Sequence, residues 1–80
     1  MLTYKAIGAR LRKLEDELSE FRDAVQERLD DMRITYDVRS ERWRESDAGQ
    51  VYQERIAVLD SVVDMLDSAA AECGNYNFED

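Results

Sequence analysis

The apolar residues of the C-terminal part of the chain recur at helical spacing and would cover a broad side of the helix. With Ile56 at heptad position a, the apolar residues of a helix over Val51–Cys73 fall at positions a, d, g and c. These four positions form an arc of roughly 160° around the helix axis. The arc contains Val51, Tyr52, Ile56, Val58, Leu59, Val62, Val63, Met65, Leu66, Ala69, Ala70 and Cys73. Because a two-stranded seam needs little more than positions a and d, this segment predicts at least two neighbouring helices.

The N-terminal part carries a narrower apolar pattern. Its apolar residues alternate at spacings of four and three, which is typical of the seam of a helical hairpin or bundle. They are Ile7, Leu11, Leu14, Leu18, Phe21 and Val25, followed by Leu29 and Met32. Arg28 takes the next seam position, which Leu29 misses by one residue, so we expect the seam to loosen there. Thr3 is a candidate N-cap of this helix.

Residues 34–46, between the two helices, have two interpretations. Ile34, Tyr36 and Val38 alternate with polar residues, as they would in a strand. An isolated strand would have no partner in this chain, so a helix is favoured, either continuous or kinked.

The last helix has predicted boundaries at both ends. Asp47 followed by Gln50 resembles a capping box, and Gly74 is a natural C-terminal stop. The chain would then form a single helical domain over residues 1–74, followed by a frayed acidic tail over residues 75–80.

The predicted fold class is all-α. We expect a helical hairpin of two long helices, with a kink or a short third helix at 34–46, that assembles as an antiparallel dimeric bundle. An 80-residue chain has a marginal core, and a single cysteine cannot form an intrachain disulfide, so self-association is the expected source of added stability. The residues assigned to the core or the dimer contact are Leu11, Leu14, Leu18, Phe21, Val25, Val51, Ile56, Val58, Leu59, Val62, Val63, Met65 and Leu66.

Two pairings of the helices are open. If the chain breaks within 34–46, helices of similar length pair, and basic residues near the N-terminus lie beside acids near the C-terminus. If the first helix continues to about residue 45, only its second half meets the last helix and its basic first half projects. The matched charges of the first pairing are Lys5, Arg10, Arg12 and Lys13 against Asp64, Asp67 and Glu72.

Charge and composition narrow the function classes. The chain has 19 acidic and 11 basic residues, a net charge of -8, which argues against general nucleic-acid binding. No apolar run approaches membrane length, and residues 1–13 lack the apolar core of a signal peptide. A lone cysteine suits a reducing cytoplasm, so we expect a cytoplasmic protein without membrane contact.

The sequence contains few of the residues and motifs that enzymes use for catalysis. There is no histidine, no Gly-rich phosphate loop and no nucleophile motif. No calcium-loop spacing occurs among the carboxylates. We therefore expect no enzyme, no cofactor and no metal site. Cys73 lies at a seam position, so we expect it to pack as a small buried apolar side chain and not to act as a reactive thiol.

Two candidate partner-binding surfaces stand out. Carboxylates at alternating spacings of four and three form an acidic row opposite the seam of the first helix: Asp16, Glu20, Asp23, Glu27 and Asp30. Such a row is usually a solvated face, but at ~5–6 Å per step it also approaches the spacing of strand phosphates. The second candidate is the cluster of Arg39, Arg42, Trp43 and Arg44, which would either close the hairpin end or anchor a protein partner.

The same segment carries a family resemblance. It reads Tyr36-Asp37-x-Arg39-Ser40-Glu41-x-Trp43-x-Glu45-Ser46-x-x-Gly49, followed by Tyr52-Gln53-Glu54. This pattern resembles small uncharacterised phage and prophage helical proteins, which implies a helix here and an origin in a phage or mobile element. Small acidic non-enzymatic proteins of that origin resemble inhibitors of host machinery, anti-CRISPR proteins included.

The sequence thus predicts a non-catalytic acidic helical protein that acts by binding another protein. One alternative is an acidic nucleic-acid mimic that inhibits a host nucleic-acid-binding or defence complex. A second alternative is a structural or assembly component of a phage-like particle.

Overall fold

The structure is a computed structural model of the chain and describes residues 1–78. It contains three helices, α1 (Tyr4–Val38), α2 (Glu41–Glu45) and α3 (Asp47–Cys73). α1 and α3 pack side by side into a rod 61 Å long and 19 by 17 Å across. The predicted all-α hairpin is confirmed, with a short third helix at its turn, and no strand occurs within residues 1–78.

Hydroxyl side chains set the helix boundaries. Thr3 Oγ1 accepts a hydrogen bond from the backbone N–H of Ala6 at 3.1 Å, which confirms the predicted N-cap of α1. At the turn, Ser40 caps α2 and Ser46 caps α3, each accepting from the backbone N–H three residues later at 3.2 Å. The prediction that α3 is capped at Asp47 is therefore wrong by one residue.

Gly49 lies in the first turn of α3, where the backbone of α2 passes close to it. A β carbon at this position would collide with the carbonyl oxygen of Trp43 and lie 2.7 Å from Arg44 Cα. The absence of a side chain at Gly49 therefore allows α2 to fold back directly onto α3.

The seam of α1 differs by one row from the predicted seam. Leu11, Leu18, Val25 and Met32 face α3 as expected, but the second row is Gly8, Glu15, Arg22, Leu29 and Tyr36. Leu29 is fully buried and Arg28 is exposed, so the seam continues through the point where it was expected to loosen. α1 cannot bury both the row of Phe21 and the row of Leu29 against α3. Burying the row of Leu29 places Leu29 and Tyr36 in the seam near the turn, where the other row would place Arg28 and Thr35.

The pairing of α1 with α3 is antiparallel along nearly the whole rod. Arg33 pairs with Asp60 near the turn, Arg22 with Asp67 at mid-length, and Glu15 lies beside Gly74. α1 therefore ends at the turn, as in the first of the two predicted pairings. The predicted charge match is wrong in detail, because α3 ends level with Glu15.

The basic residues at positions 5–13 consequently lie level with the segment that follows α3. Residues 75–78, expected to fray, pack against α1 instead. The Tyr4 hydroxyl donates to the carbonyl oxygen of Asn77 at 3.0 Å, and the Tyr4 and Phe78 rings lie 4.8 Å apart. Phe78 also covers Gly8, where a β carbon would collide with it. The remaining tail residues, 79 and 80, lie outside the described residues.

Candidate functional site

One long side of the hairpin is polar and carries the ion pairs between the helices. Arg33 Nη2 lies 3.2 Å from Asp60 Oδ1, and Arg22 Nε lies 2.9 Å from Asp67 Oδ1. The Arg22 N–H does not point at this oxygen, so the contact is an ion pair and not a linear hydrogen bond. Both pairs are partly exposed, and exposed pairs contribute little stability. They define which side of each helix is polar.

The opposite long side of the hairpin is apolar and exposed. On α1, one row of residues lies about 75° from the centre of the seam, on the side away from Arg33. It consists of Ile7, Leu14 and Phe21, with 37, 43 and 57% of their surface exposed. On α3, the half-buried Val62 and Ala69 lie across the seam from Asp60 and Asp67. Next to them, Val51, Val58 and Met65 are 45, 60 and 59% exposed.

These exposed residues form one diagonal stripe, which we call the apolar side. The pairing of Arg22 with Asp67 puts Phe21 level with the C-terminal half of α3. The α1 part of the stripe therefore covers the half near the termini, and the α3 part covers the half near the turn. The apolar side is defined as Ile7, Leu14, Phe21, Val51, Val58 and Met65.

The structure divides the predicted core residues into two groups. Eight are buried or half-buried between the helices: Leu11, Leu18, Val25, Ile56, Leu59, Val62, Val63 and Leu66. Five are exposed and belong to the apolar side: Leu14, Phe21, Val51, Val58 and Met65. Leu29 and Met32 are buried between the helices although the list of predicted core residues leaves them out; both follow Val25 in the apolar series of α1.

The predicted acidic row lies on the outer surface of α1. All five carboxylates, Asp16, Glu20, Asp23, Glu27 and Asp30, are exposed. Their contacts are local: Asp23 accepts from Arg22 Nη1 at 3.3 Å, and Asp30 accepts from Gln26 Nε2 at 2.9 Å. By helical geometry the row points away from both α3 and the apolar side. We call it the acidic face.

The aromatic cluster at the turn is packed within the chain. The Trp43 ring makes edge contacts with Tyr36 and Tyr52 at centroid distances of 6.0 and 5.5 Å. The Arg39 guanidinium lies 4.7 Å from the Trp43 ring centroid, a cation–π contact. Trp43 is half-buried, whereas Arg39 and Arg42 are exposed. These contacts give Trp43 a role in closing the hairpin, and its role in binding a partner stays a prediction.

Other chemical features are sparse in the part of the chain that the structure describes. Within residues 1–78, no three acidic or cysteine side chains come together as metal ligands, and neither long helix has the apolar length to cross a bilayer. Cys73 is half-buried on α3. A shallow open depression over Leu14 is lined by Arg10, Lys13 and Glu17, so it forms part of the apolar side's border.

Searches against protein-family models, curated proteins and solved structures found no match to this chain. The geometry of the described residues is therefore the basis for the functional conclusion.

Proposed function

We propose that this chain is a non-catalytic binding protein that pairs with a second copy through the apolar side and uses the acidic face to bind another protein. The observation that carries the proposal is the division of the hairpin into two sides. All ion pairs between the helices lie on one side within residues 1–78, and six exposed apolar residues lie on the other.

The size of the apolar side fits a contact between two copies. Its six residues expose roughly 600 Å² per chain, so two copies would bury roughly 1,200 Å², the lower end for specific interfaces. Monomers rarely leave larger apolar patches in water. A small hairpin with four buried apolar side chains among its described residues also gains stability from such a contact.

The oligomeric state is tested by sedimentation with matched glutamate variants. The unmodified chain should sediment at about twice the chain mass at micromolar concentration. Phe21→Glu places a charge within the apolar side and should give monomers. Ile34→Glu introduces the same charge at a similarly exposed apolar residue (62%) on the outer surface of α1, in the row of Glu20 and Glu27, and should leave the dimer intact. A monomeric unmodified chain, or equal loss of the dimer in both variants, would contradict the proposal.

The acidic face remains available in such a dimer, because it points away from the apolar side. Its test is capture from a bacterial lysate by the dimer, since the resemblance suggests a phage-derived protein acting in the bacterial cytoplasm. The face variant changes all five carboxylates to amides: D16N, E20Q, D23N, E27Q and D30N. The matched control changes five exposed carboxylates elsewhere: D37N, E41Q, E45Q, E54Q and D64N.

Proteins that bind through the acidic face should be captured by the unmodified chain and the control variant but lost with the face variant. Identical captures by all three would contradict this assignment.

The second candidate function is inhibition by mimicry of nucleic acid. The observation favouring it is the uninterrupted exposure of five carboxylates in one row along α1. Mimicry requires that the captured protein also binds nucleic acid through a basic groove, and that capture falls steeply as salt rises. Binding through Trp43 would instead persist in high salt and be lost in Trp43→Ala.

A further inference from the structure

We infer that the notch over Gly8, which the ring of Phe78 fills, is a docking site for an extended segment of another protein that presents an aromatic side chain followed by carboxylates. The chain's own tail, residues 75–78, is then an internal competitor for that segment. The notch lies on the seam of α1, outside both the acidic face and the apolar side, and its occupation does not require a second copy.

The notch exists because α3 is shorter than α1 at the end of the rod near the termini. α3 ends level with Glu15, so roughly 16 Å of α1 projects beyond it. Gly8 continues the seam within this projecting part and is buried. The atoms nearest to Gly8 across the seam belong to Phe78, so the tail takes the place that α3 has along the rest of the rod.

The shape of the notch suits an aromatic ring and the backbone that precedes it. A β carbon at Gly8 would lie 2.9 Å from Cγ of Phe78, so the ring lies directly on the backbone of α1. The Tyr4 ring forms one wall, with its centroid 4.8 Å from that of Phe78. The Tyr4 hydroxyl donates to the carbonyl oxygen of Asn77 at 3.0 Å. Any extended segment with an aromatic side chain offers the same groups.

The tail is docked mainly through this ring. Residues 75–77 are exposed and Phe78 is half-buried, whereas α3 packs against α1 along its length. Segments with few buried contacts open at a small cost in free energy compared with unfolding of the whole domain. The notch is therefore open in a fraction of the molecules, and a competing segment can enter it while the hairpin stays folded.

The side chains around the notch determine which segment fits. On the helix surface the neighbours of Gly8 are Tyr4 and Leu11, which are apolar, and Lys5 and Arg12, which are cations. Both cations are exposed, and neither forms an ion pair among the described residues. α1 carries no carboxylate before position 15. An aromatic ring with carboxylates beside it therefore complements the notch.

The sequence of the tail has this chemistry, because Phe78 is followed by Glu79 and Asp80. A synthetic peptide with the sequence of residues 75–80 is therefore the probe, and calorimetry gives its dissociation constant for each chain. Phe78→Ala removes the internal competitor and should strengthen peptide binding by about ten-fold or more, because affinity falls with the fraction of chains whose notch is closed. Equal affinities of the unmodified and Phe78→Ala chains, or no binding by either, would overturn the inference.

Two further variants, both made in the Phe78→Ala chain, locate the bound peptide. Gly8→Leu fills the notch and should abolish binding. Ala9→Leu adds a similar side chain at the adjacent exposed position and should leave the affinity unchanged. Peptide binding that survives Gly8→Leu, or an equal loss of binding in both variants, would overturn the assignment of the peptide to the notch.

The role of the cations is tested with Lys5→Gln and Arg12→Gln together, again in the Phe78→Ala chain. This change should weaken binding of the peptide several-fold and should leave unchanged the binding of a peptide that ends in Phe-Gln-Asn. The matched control, Arg42→Gln with Arg55→Gln, removes two exposed cations elsewhere and should have no effect. Equal losses for the acidic and the amide peptide would overturn the preference for carboxylates.

Chain concentration distinguishes a tail docked in its own chain from a tail exchanged with a second copy. A tail in its own notch gives the unmodified chain the same peptide affinity at low and at high chain concentration. Peptide binding that strengthens on dilution would show that tails are exchanged between copies, and would overturn the internal competitor.

Discussion

Replacing Leu29 with alanine tests the packing on which the hairpin depends. Leu29 is fully buried between α1 and α3, and Met32, Val63 and Leu66 complete the strongly buried core of the described residues. Truncating a buried leucine to alanine costs about 2–5 kcal/mol, depending on how far the site collapses. A domain of this length has a total unfolding free energy of about 4–12 kcal/mol. Leu29→Ala should therefore remove about 3 kcal/mol, a large share of the total.

The assay is urea unfolding followed by helical circular dichroism, at one fixed protein concentration so that self-association contributes equally to each variant. Two matched controls lie on the same helix. Ile34→Ala changes an apolar residue that is 62% exposed, and Arg28→Ala changes the residue that the sequence pattern placed in the seam. Each control should cost less than about 1 kcal/mol. A loss under 1 kcal/mol for Leu29→Ala, or an equal loss for Arg28→Ala, would refute the packing of the Leu29 row against α3.

The remaining predictions concern the two ends of the rod. Gly49→Ala should destabilise the chain by about 1–3 kcal/mol in the same unfolding assay, because the new methyl group meets the α2 backbone, which cannot rotate away. Gly8→Ala should cost less, because it displaces the Phe78 side chain and gains about 1 kcal/mol of helix propensity; an equal cost for both glycines would contradict the close approach at Gly49. Trp43→Ala should cost about 2 kcal/mol, since it removes two ring contacts and the Arg39 stack, whereas Trp43→Phe should retain most of that stability; a neutral Trp43→Ala would contradict its structural role.

Local signals in the sequence were sufficient for the helices and insufficient for their contacts. The absence of proline and the period of apolar residues identified two long helices, and Thr3 marked the start of the first. The seam of α1 was ambiguous because two adjacent rows both contain apolar residues. Only packing against α3 decides between the row of Phe21 and the row of Leu29. The side of a helix that faces its partner is a tertiary property.

Of the two candidate surfaces, one could be predicted from local spacing and the other depends on contacts between helices. The acidic face follows from spacing within one helix, so its exposed residues could be predicted from the sequence. The packing of Trp43 could not, because its neighbours Tyr36 and Tyr52 come from two other helices. The contact of Phe78 with Gly8 joins residues 70 positions apart, and nothing in the local pattern of the tail indicates it.

We propose that the apolar side is the contact surface between two copies, and oxidative footprinting of the unmodified chain tests this contact most directly. Met65 is 59% exposed in the single chain, whereas Met32 is 6% exposed and Ile34, on the outer surface of α1, is 62% exposed. As the protein concentration rises through the micromolar range, oxidation of Met65 and Phe21 should fall several-fold. Oxidation of Ile34 should stay constant, and that of Met32 should stay low. Concentration-independent oxidation of Met65 and Phe21 at the level of free, exposed side chains would contradict the claim.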